Sequence, residues 1–98
     1  MKVNEEFKPY DVAEYLETPE DMVGYLNACL EEDQGDGVLV SKALGNIARA
    51  YGMTQIANET GLGRESLYKA LGANGNPEFA TIMKVIKALG LKLHASTD

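Results

Sequence analysis

The sequence is poor in the residues on which small secreted domains and membrane proteins depend. Among its 98 residues there is one cysteine, one histidine and no tryptophan. Because Cys29 has no partner in the chain, an internal disulfide is impossible and a disulfide-stapled secreted domain is excluded. No apolar run approaches the roughly 18 residues that a membrane span needs, and no basic stretch followed by an apolar run opens the chain. We therefore expect a cytoplasmic protein with no membrane association.

Residues suited to catalysis or to metal binding are also scarce. His94 lies near the carboxyl terminus, where a structural or solvent-exposed role is expected, and Cys29 falls on an apolar helix face as a small core residue does. The carboxylates have no His or Cys cluster with metal-ligand spacing beside them. Gly61-x-Gly63 falls between two predicted helices and is not a phosphate loop after a strand. We expect a protein that is not an enzyme and that holds no metal or cofactor.

Charge is distributed unevenly along the chain. Residues 1–36 carry eleven acidic side chains against two lysines, a net of −9, whereas residues 37–98 carry seven basic side chains against four acidic ones, a net of +3. The total of −6 therefore conceals an acidic first third and a mildly basic remainder. With a Debye length near 8 Å at physiological salt, two such regions act almost independently if they lie apart.

Helix signals dominate the pattern, and the length suits one domain. A short helical turn is predicted at residues 9–16. Thr18, Pro19 and Asp21 supply a capping threonine, a proline at the first helical position and a carboxylate three residues after the cap, and Gly35 ends this helix. A further helix runs from near residue 36 to residue 51, two short helices follow, and residues 76–78 open a last helix that Gly90 closes. Residues 91–94 alternate, which predicts either a short strand or extended chain.

The predicted helices have apolar stripes at helical spacing. Gly45, in the middle of the helix at residues 36–51, costs up to about 1 kcal/mol relative to alanine and indicates close helix packing. In the first long helix the stripe is Met22, Leu26, Cys29 and Leu30. In the second long helix it is Val40, Leu44, Ile47, Ala48 and Tyr51. In the last helix it is Phe79, Ile82, Ile86 and Leu89.

Residues 53–71 carry the functional signal. Thr54 is expected to cap a helix of barely two turns, Gly61 allows the turn through positive φ, and Leu62 enters the core. Gly63 starts the next helix, which Leu67 and Leu71 anchor from below. Two short helices joined by a glycine turn form a helix-turn-helix unit, whose second helix enters the major groove of DNA.

The positions that face the groove follow from about 100° per residue. With Leu67 at the core, Glu65 and Lys69 lie opposite it, Ser66 and Tyr68 flank that face, and Arg64 projects from the helix start. Arg64 is the best candidate for two hydrogen bonds to guanine O6 and N7. Phosphate contacts are assigned to Lys69, to Gln55 at the start of the preceding helix and to the polar loop after the recognition helix. The predicted DNA-binding residues are Gln55, Arg64, Glu65, Ser66, Tyr68, Lys69 and Asn74.

The acidic first third contains a local violation of helix electrostatics. Glu31, Glu32 and Asp33 crowd the predicted last turn of a helix, where the macrodipole disfavours each negative charge by roughly 0.3–1 kcal/mol. Broken local rules often mark function. The alternatives are a solvated acidic surface or a partner-binding edge, for which the candidate residues are Glu14, Glu17, Glu31, Glu32 and Asp33.

A set of motifs extends from about residue 7 to residue 93. Its specific part is Arg64-Glu65-Ser66-Leu67-Tyr68 followed by Gly75-Asn76-Pro77, supported by Asp11-Val12-Ala13-Glu14-Tyr15-Leu16, Tyr25-Leu26-Asn27-Ala28, residues 47–53 and Ala88-Leu89-Gly90-Leu91. In these motifs the chain resembles the HigA-like antitoxins of bacterial addiction modules, which belong to the lambda-repressor-like helix-turn-helix class. Gly63 departs from the pattern, because relatives often have a capping serine there.

The resemblance implies an all-α, five-helix domain with an acidic helical extension. Residues 1–35 would be the acidic segment and possible toxin-binding region, residues 36–94 the DNA-binding domain and residues 95–98 a tail. It further implies a homodimer that represses its own operon and neutralises a small basic RelE/ParE-like toxin. Two alternatives stay open: a stand-alone helix-turn-helix regulator without a toxin, and a protein-interaction module that does not bind DNA.

Overall fold

Five α-helices and one short 3₁₀ helix make up the structure, a computed structural model that describes residues 12–72 and 74–97. After the 3₁₀ helix Val12–Tyr15 come α1 (Pro19–Glu32), α2 (Val38–Tyr51), α3 (Met53–Thr60), α4 (Arg64–Ala70) and α5 (Phe79–Ala88). The all-helical prediction is confirmed within this part of the chain. The predicted C-terminal strand is not seen, because residues 91–97 form no ladder with another segment. Of the predicted turn at residues 9–16, residues 9–11 lie outside the described residues.

The start of α1 is fixed by a reciprocal capping arrangement. The Thr18 hydroxyl accepts the backbone N–H of Asp21 at 3.0 Å, and the Asp21 carboxylate accepts those of Glu17 and Thr18 at 3.0 and 3.1 Å. These bonds to the ionised carboxylate hold the pKa of Asp21 below its ordinary value. With Pro19 at the first helical position, the structure confirms the predicted start of this helix.

The link between α1 and α2 is organised largely by Asp33, which accepts four backbone N–H groups there, whereas Asp36 accepts one. Asp33 Oδ2 accepts the N–H groups of Gly35 and Gly37 at 2.8 and 3.0 Å, and Oδ1 accepts those of Leu39 and Val40 at 3.1 and 3.4 Å. The helices therefore end at Glu32 and begin at Val38, inside the predicted limits of residues 35 and 36. These donors lower the pKa of Asp33, those of Gly35 and Gly37 most. Asp33 thus satisfies the first turn of α2, where a negative charge is favourable.

The core is centred on α2. Ala43, Leu44, Ile47 and Ala48 are fully buried, and α2 packs against the 3₁₀ helix, α1, α3 and α5. From α1, Met22, Leu26 and Cys29 enter the same apolar cluster, so α1 and the helices after residue 36 share one core. No helix within the described ranges is long and apolar enough to cross a membrane.

Three apolar residues that the stripes place inside are exposed. Leu30 is 41% exposed, Tyr51 38% and Phe79 72%. Leu30 is one residue beyond buried Cys29 and so points about 100° away from it. Tyr51 and Phe79 are terminal residues of α2 and α5. These two terminal positions lie outside the buried stripes of their helices.

Two predicted helix starts are wrong, and both concern caps. Gly52 is at once the last cap of α2 and the first cap of α3, with φ 127° and ψ 103°, so Thr54 lies inside the first turn of α3 and caps nothing. The last helix begins at Phe79 after Glu78, not at Asn76, and Glu78 makes no side-chain cap. Its predicted end is confirmed, because Gly90 has φ 76°.

Gly45 allows α2 to lie against the end of α4. A Cβ atom at this buried position would lie 2.8 Å from the backbone oxygen of Leu71 and 3.4 Å from the Leu71 Cβ. The predicted role of Gly45 in close packing is therefore confirmed.

Candidate nucleic-acid interface

The turn between α3 and α4 is built from glycine geometry and one threonine. Gly61 adopts φ 76°, and its N–H donates to the Ala57 carbonyl at 3.0 Å. The Thr60 hydroxyl donates to the Ile56 carbonyl at 2.8 Å and accepts the N–H of Leu62 at 3.3 Å. Leu62 is half-buried against the core. These contacts fix the angle at which α4 leaves α3.

Helix α4 is held from one side only. Leu67 is fully buried and Leu71 is 4% exposed. The five predicted DNA-binding residues of α4 (Arg64, Glu65, Ser66, Tyr68 and Lys69) are all exposed. The face that the helical spacing assigned to DNA is therefore open to solvent. Gly63 precedes α4 in extended conformation and supplies no side-chain cap.

The exposed face of α4 has two flanks. On one flank the Arg64 guanidinium lies over the Tyr68 ring, 5.8 Å from its centroid, an arrangement within cation–π range. On the other flank, Ser66, Lys69 and Asn74 line a shallow depression of about 330 Å³. The structure thus brings six of the seven predicted residues to α4 and its following loop.

Gln55, the seventh predicted residue, lies on the first turn of α3. Its side-chain amide donates to the Glu59 carboxylate at 3.0 Å, one turn further along the same helix. Both side chains are exposed. A phosphate contact by Gln55 would require this bond to be exchanged or shared.

Two cations that the sequence analysis assigned to no site lie beside α4. Lys42 and Arg49 of α2 line a groove of about 190 Å³ whose other wall includes Tyr68. They are seven residues apart, two helical turns, so they share one face of α2. Their spacing was the available signal, but only the approach of α2 to the end of α4 shows that this face borders α4.

A polar chain connects Arg49 to α1. The Arg49 guanidinium donates to the Asn46 Oδ1, and the Asn46 Nδ2 donates to the Tyr25 hydroxyl at 2.8 Å. Burial raises the pKa of Tyr25, although the hydrogen bond from Asn46 acts in the opposite direction. Tyr25 therefore stays a neutral phenol that accepts from Asn46, and Asn46 presents its oxygen to Arg49.

The predicted partner-binding carboxylates divide into two groups. Glu14, Glu17, Glu31 and Glu32 are exposed, and Glu31 borders a groove of about 370 Å³ between α1 and residues 91–96. Val23, Leu30 and Leu93 add apolar surface to this groove. Asp33 instead binds the backbone of the α1–α2 link, which gives it a structural role.

No group of three His, Cys, Asp or Glu side chains among residues 12–72 and 74–97 is arranged to hold a metal ion. Cys29 is buried, and burial raises the pKa of its thiol. A thiol with a raised pKa is a poor nucleophile at neutral pH.

Comparison with known proteins places the chain in a family. Residues 6–97 match a family model described as "probable addiction module antidote protein". A Haemophilus influenzae protein described as uncharacterized is 52% identical over 90 residues, which cover 92% of this chain and 91% of the relative. No solved structure matches the chain. Because the family model spans every helix from α1 to α5, the protein belongs to the family of probable addiction module antidote proteins.

Proposed function

We propose that this protein is the antitoxin of a type II toxin–antitoxin module, HigA-like and of the lambda-repressor-like class, that represses its own operon as a homodimer. The observation that carries the DNA-binding half is the exposed outer face of α4, held from behind by Leu67 and Leu71. A helix mounted in this way after a short glycine turn is suited to the major groove.

Each side chain of this face has a role that its chemistry supports. Arg64 forms two hydrogen bonds to a guanine edge, and Tyr68, beneath the guanidinium, restricts its position. Ser66 contacts a base or a phosphate, and Glu65 accepts from a cytosine amine or orients Arg64. Lys69, Asn74 and Gln55 contact phosphates, which fix the register on the duplex.

The acidic first third supports the second half of the proposal. An antidote protein acts on a toxin, and the net charge of −9 over residues 1–36 is complementary to a small basic protein. Exposed Glu14, Glu17, Glu31 and Glu32 carry part of that charge. In this proposal residues 1–35 bind a RelE/ParE-like toxin and residues 36–94 bind DNA.

A gel-shift titration with the DNA upstream of the gene tests the DNA-binding half. Arg64→Ala should weaken binding of that fragment by about 5- to 150-fold, which corresponds to the roughly 1–3 kcal/mol of a bidentate base contact. Lys92→Ala, which removes one positive charge from the exposed C-terminal segment, is the matched control and should change binding little. Absence of a shift at low salt, or equal losses for both variants, would contradict the proposal.

Co-expression with the product of the neighbouring gene tests the toxin half. We expect a small basic protein to co-purify and to be non-toxic only when this chain is present. A neighbour that is neither basic nor co-purified would leave the stand-alone regulator, provided that the upstream DNA is still bound.

A further inference from the structure

The groove between α2 and α4 borders the proposed DNA-reading face. Lys42, Asn46 and Arg49 line its α2 side, Tyr68 and Leu71 line its α4 side, and Met53 lies at the corner where α3 begins. Tyr68 also carries Arg64 over its ring, so the groove and the base-reading face share one side chain.

The groove is basic in an acidic protein. Among the described residues, its lining contains one lysine and one arginine and no carboxylate, although the whole chain has a net charge of −6. Met53 and Leu71 provide apolar surface between the charged and polar side chains. A groove with two cations around an apolar floor is complementary to the sugar–phosphate backbone, which alternates anionic oxygens with apolar sugar carbons.

Arg49 is held in place within this groove. Its guanidinium donates to Asn46, which in turn donates to the half-buried Tyr25. An arginine held by a neighbour loses less side-chain entropy when it binds a phosphate than a freely rotating one does. Asn46 is therefore a positioning residue in this arrangement.

Two positions in the wall of the groove are glycines. Gly45 and Gly72 lie in its lining, and neither has a side chain that could fill it. The close approach of Gly45 to the Leu71 backbone also sets the distance between the two walls.

We propose that this groove binds the DNA backbone beside the base pairs that α4 contacts, with Lys42 and Arg49 each meeting one phosphate and Asn46 orienting Arg49. The inference rests on the proposed DNA-binding function and names a further part of its surface that supplies affinity for any sequence. Arg64 supplies discrimination between sequences, and the α2–α4 groove supplies charge-dependent affinity.

The salt dependence of binding tests this groove. The double variant Lys42→Gln/Arg49→Gln should bind the upstream fragment and a random-sequence duplex with equal proportional losses. The slope of log K against log salt should become shallower by about 1.8 for each bound chain, because each lost phosphate contact removes about 0.9. The ratio of wild-type affinity to variant affinity should therefore fall by about 12-fold when salt is raised from about 50 to 200 mM.

Lys87→Gln/Lys92→Gln is the matched control. It removes the same charge from a different groove, between α5 and residues 90–93, and should leave the slope close to that of wild type. Asn46→Ala tests the positioning role: a slope change of up to about 0.9 with unchanged thermal stability supports it, whereas a loss of stability with an unchanged slope refutes it.

The outcomes separate the two proposals. If wild type shifts the upstream fragment and both double variants keep the wild-type slope of log K against log salt, the groove proposal fails and DNA binding stands. If the Lys42/Arg49 variant binds DNA normally but loses a co-expressed partner protein, the groove belongs to that partner and the proposal is overturned. If wild type binds neither duplex at low salt, both proposals fail.

Discussion

Replacing Gly45 by alanine tests the packing on which the position of α4 depends. The added Cβ would lie 2.8 Å from the Leu71 backbone oxygen, about 0.6 Å inside the 3.4 Å at which ordinary contact begins. The Leu71 N–H also donates to the Leu67 carbonyl at 2.9 Å. Leu71 therefore cannot move without disturbing the last turn of α4 or the buried Leu67.

The expected magnitude combines two opposing effects. Overpacking of a dense core costs about 1–3 kcal/mol, and because the obstacle is backbone we take the upper end, about 3 kcal/mol. Alanine in place of glycine in a helix interior raises the free energy of unfolding by about 1 kcal/mol, because alanine has the higher helix propensity. Gly45→Ala should therefore lower the free energy of unfolding by about 2 kcal/mol.

Gly24→Ala provides the control for helix propensity. Gly24 is exposed in the middle of α1, and nothing lies within 4 Å of the Cβ that alanine would add. This variant should gain about 1 kcal/mol. At about 4–8 °C per kcal/mol for a chain of this size, a difference of about 3 kcal/mol between the two variants should separate their Tm values by about 12–24 °C.

Urea unfolding followed by far-UV circular dichroism, at matched protein concentration, measures both free energies. Equal m-values would show that the two variants unfold from similarly compact states. If Gly45→Ala were as stable as Gly24→Ala, α2 and Leu71 would not be in close contact, and the account of how α4 is positioned would be refuted.

Two further predictions concern the capping carboxylates and their partners. Thr18→Ala should lower the free energy of unfolding by about 0.5–2 kcal/mol, as measured by thermal unfolding, because it removes the acceptor of the Asp21 N–H; no loss would mean that the cap is frayed in solution. Asp33→Asn should be less stable than wild type at neutral pH, and the gap should close as the pH falls below about 3.9. The pKa of Asp33 is lower in the folded than in the unfolded protein. The ionised carboxylate therefore stabilises the fold fully above the unfolded pKa, and this stabilisation is lost as the pH falls through the folded pKa. A gap that stays unchanged as the pH falls well below that value in urea titrations would contradict this role.

Local signals predicted the helices well where the cause of the structure is itself local. Thr18 and Asp21 are three residues apart, and their reciprocal bonds form within one turn. Gly61 needs positive φ whatever surrounds it. Leu67 and Leu71 are one turn apart and both face the core. The exposed face of α4 followed from the same spacing.

Longer-range features could not be predicted from spacing alone. Asp33 accepts hydrogen bonds from backbone N–H groups up to seven residues ahead. The furthest of these donors lie in α2, which the sequence places after a separate turn. Phe79 has the period of a buried residue, but its neighbours in space decide its exposure. Lys42 and Arg49 flank α4 only because Gly45 lets α2 approach Leu71. Each of these depends on which elements meet, which a single sequence does not reveal.

A single residue, Gly52, joins α2 to α3. One residue serves both helices, with φ 127°, so no spare chain exists there to absorb a change in length. The direction of α2 therefore determines that of α3. Through the turn at Gly61 it also determines the direction of α4. Because α1 packs against α2, a change in the tilt of α2 that is imposed through α1 would also change the direction of α3 and α4.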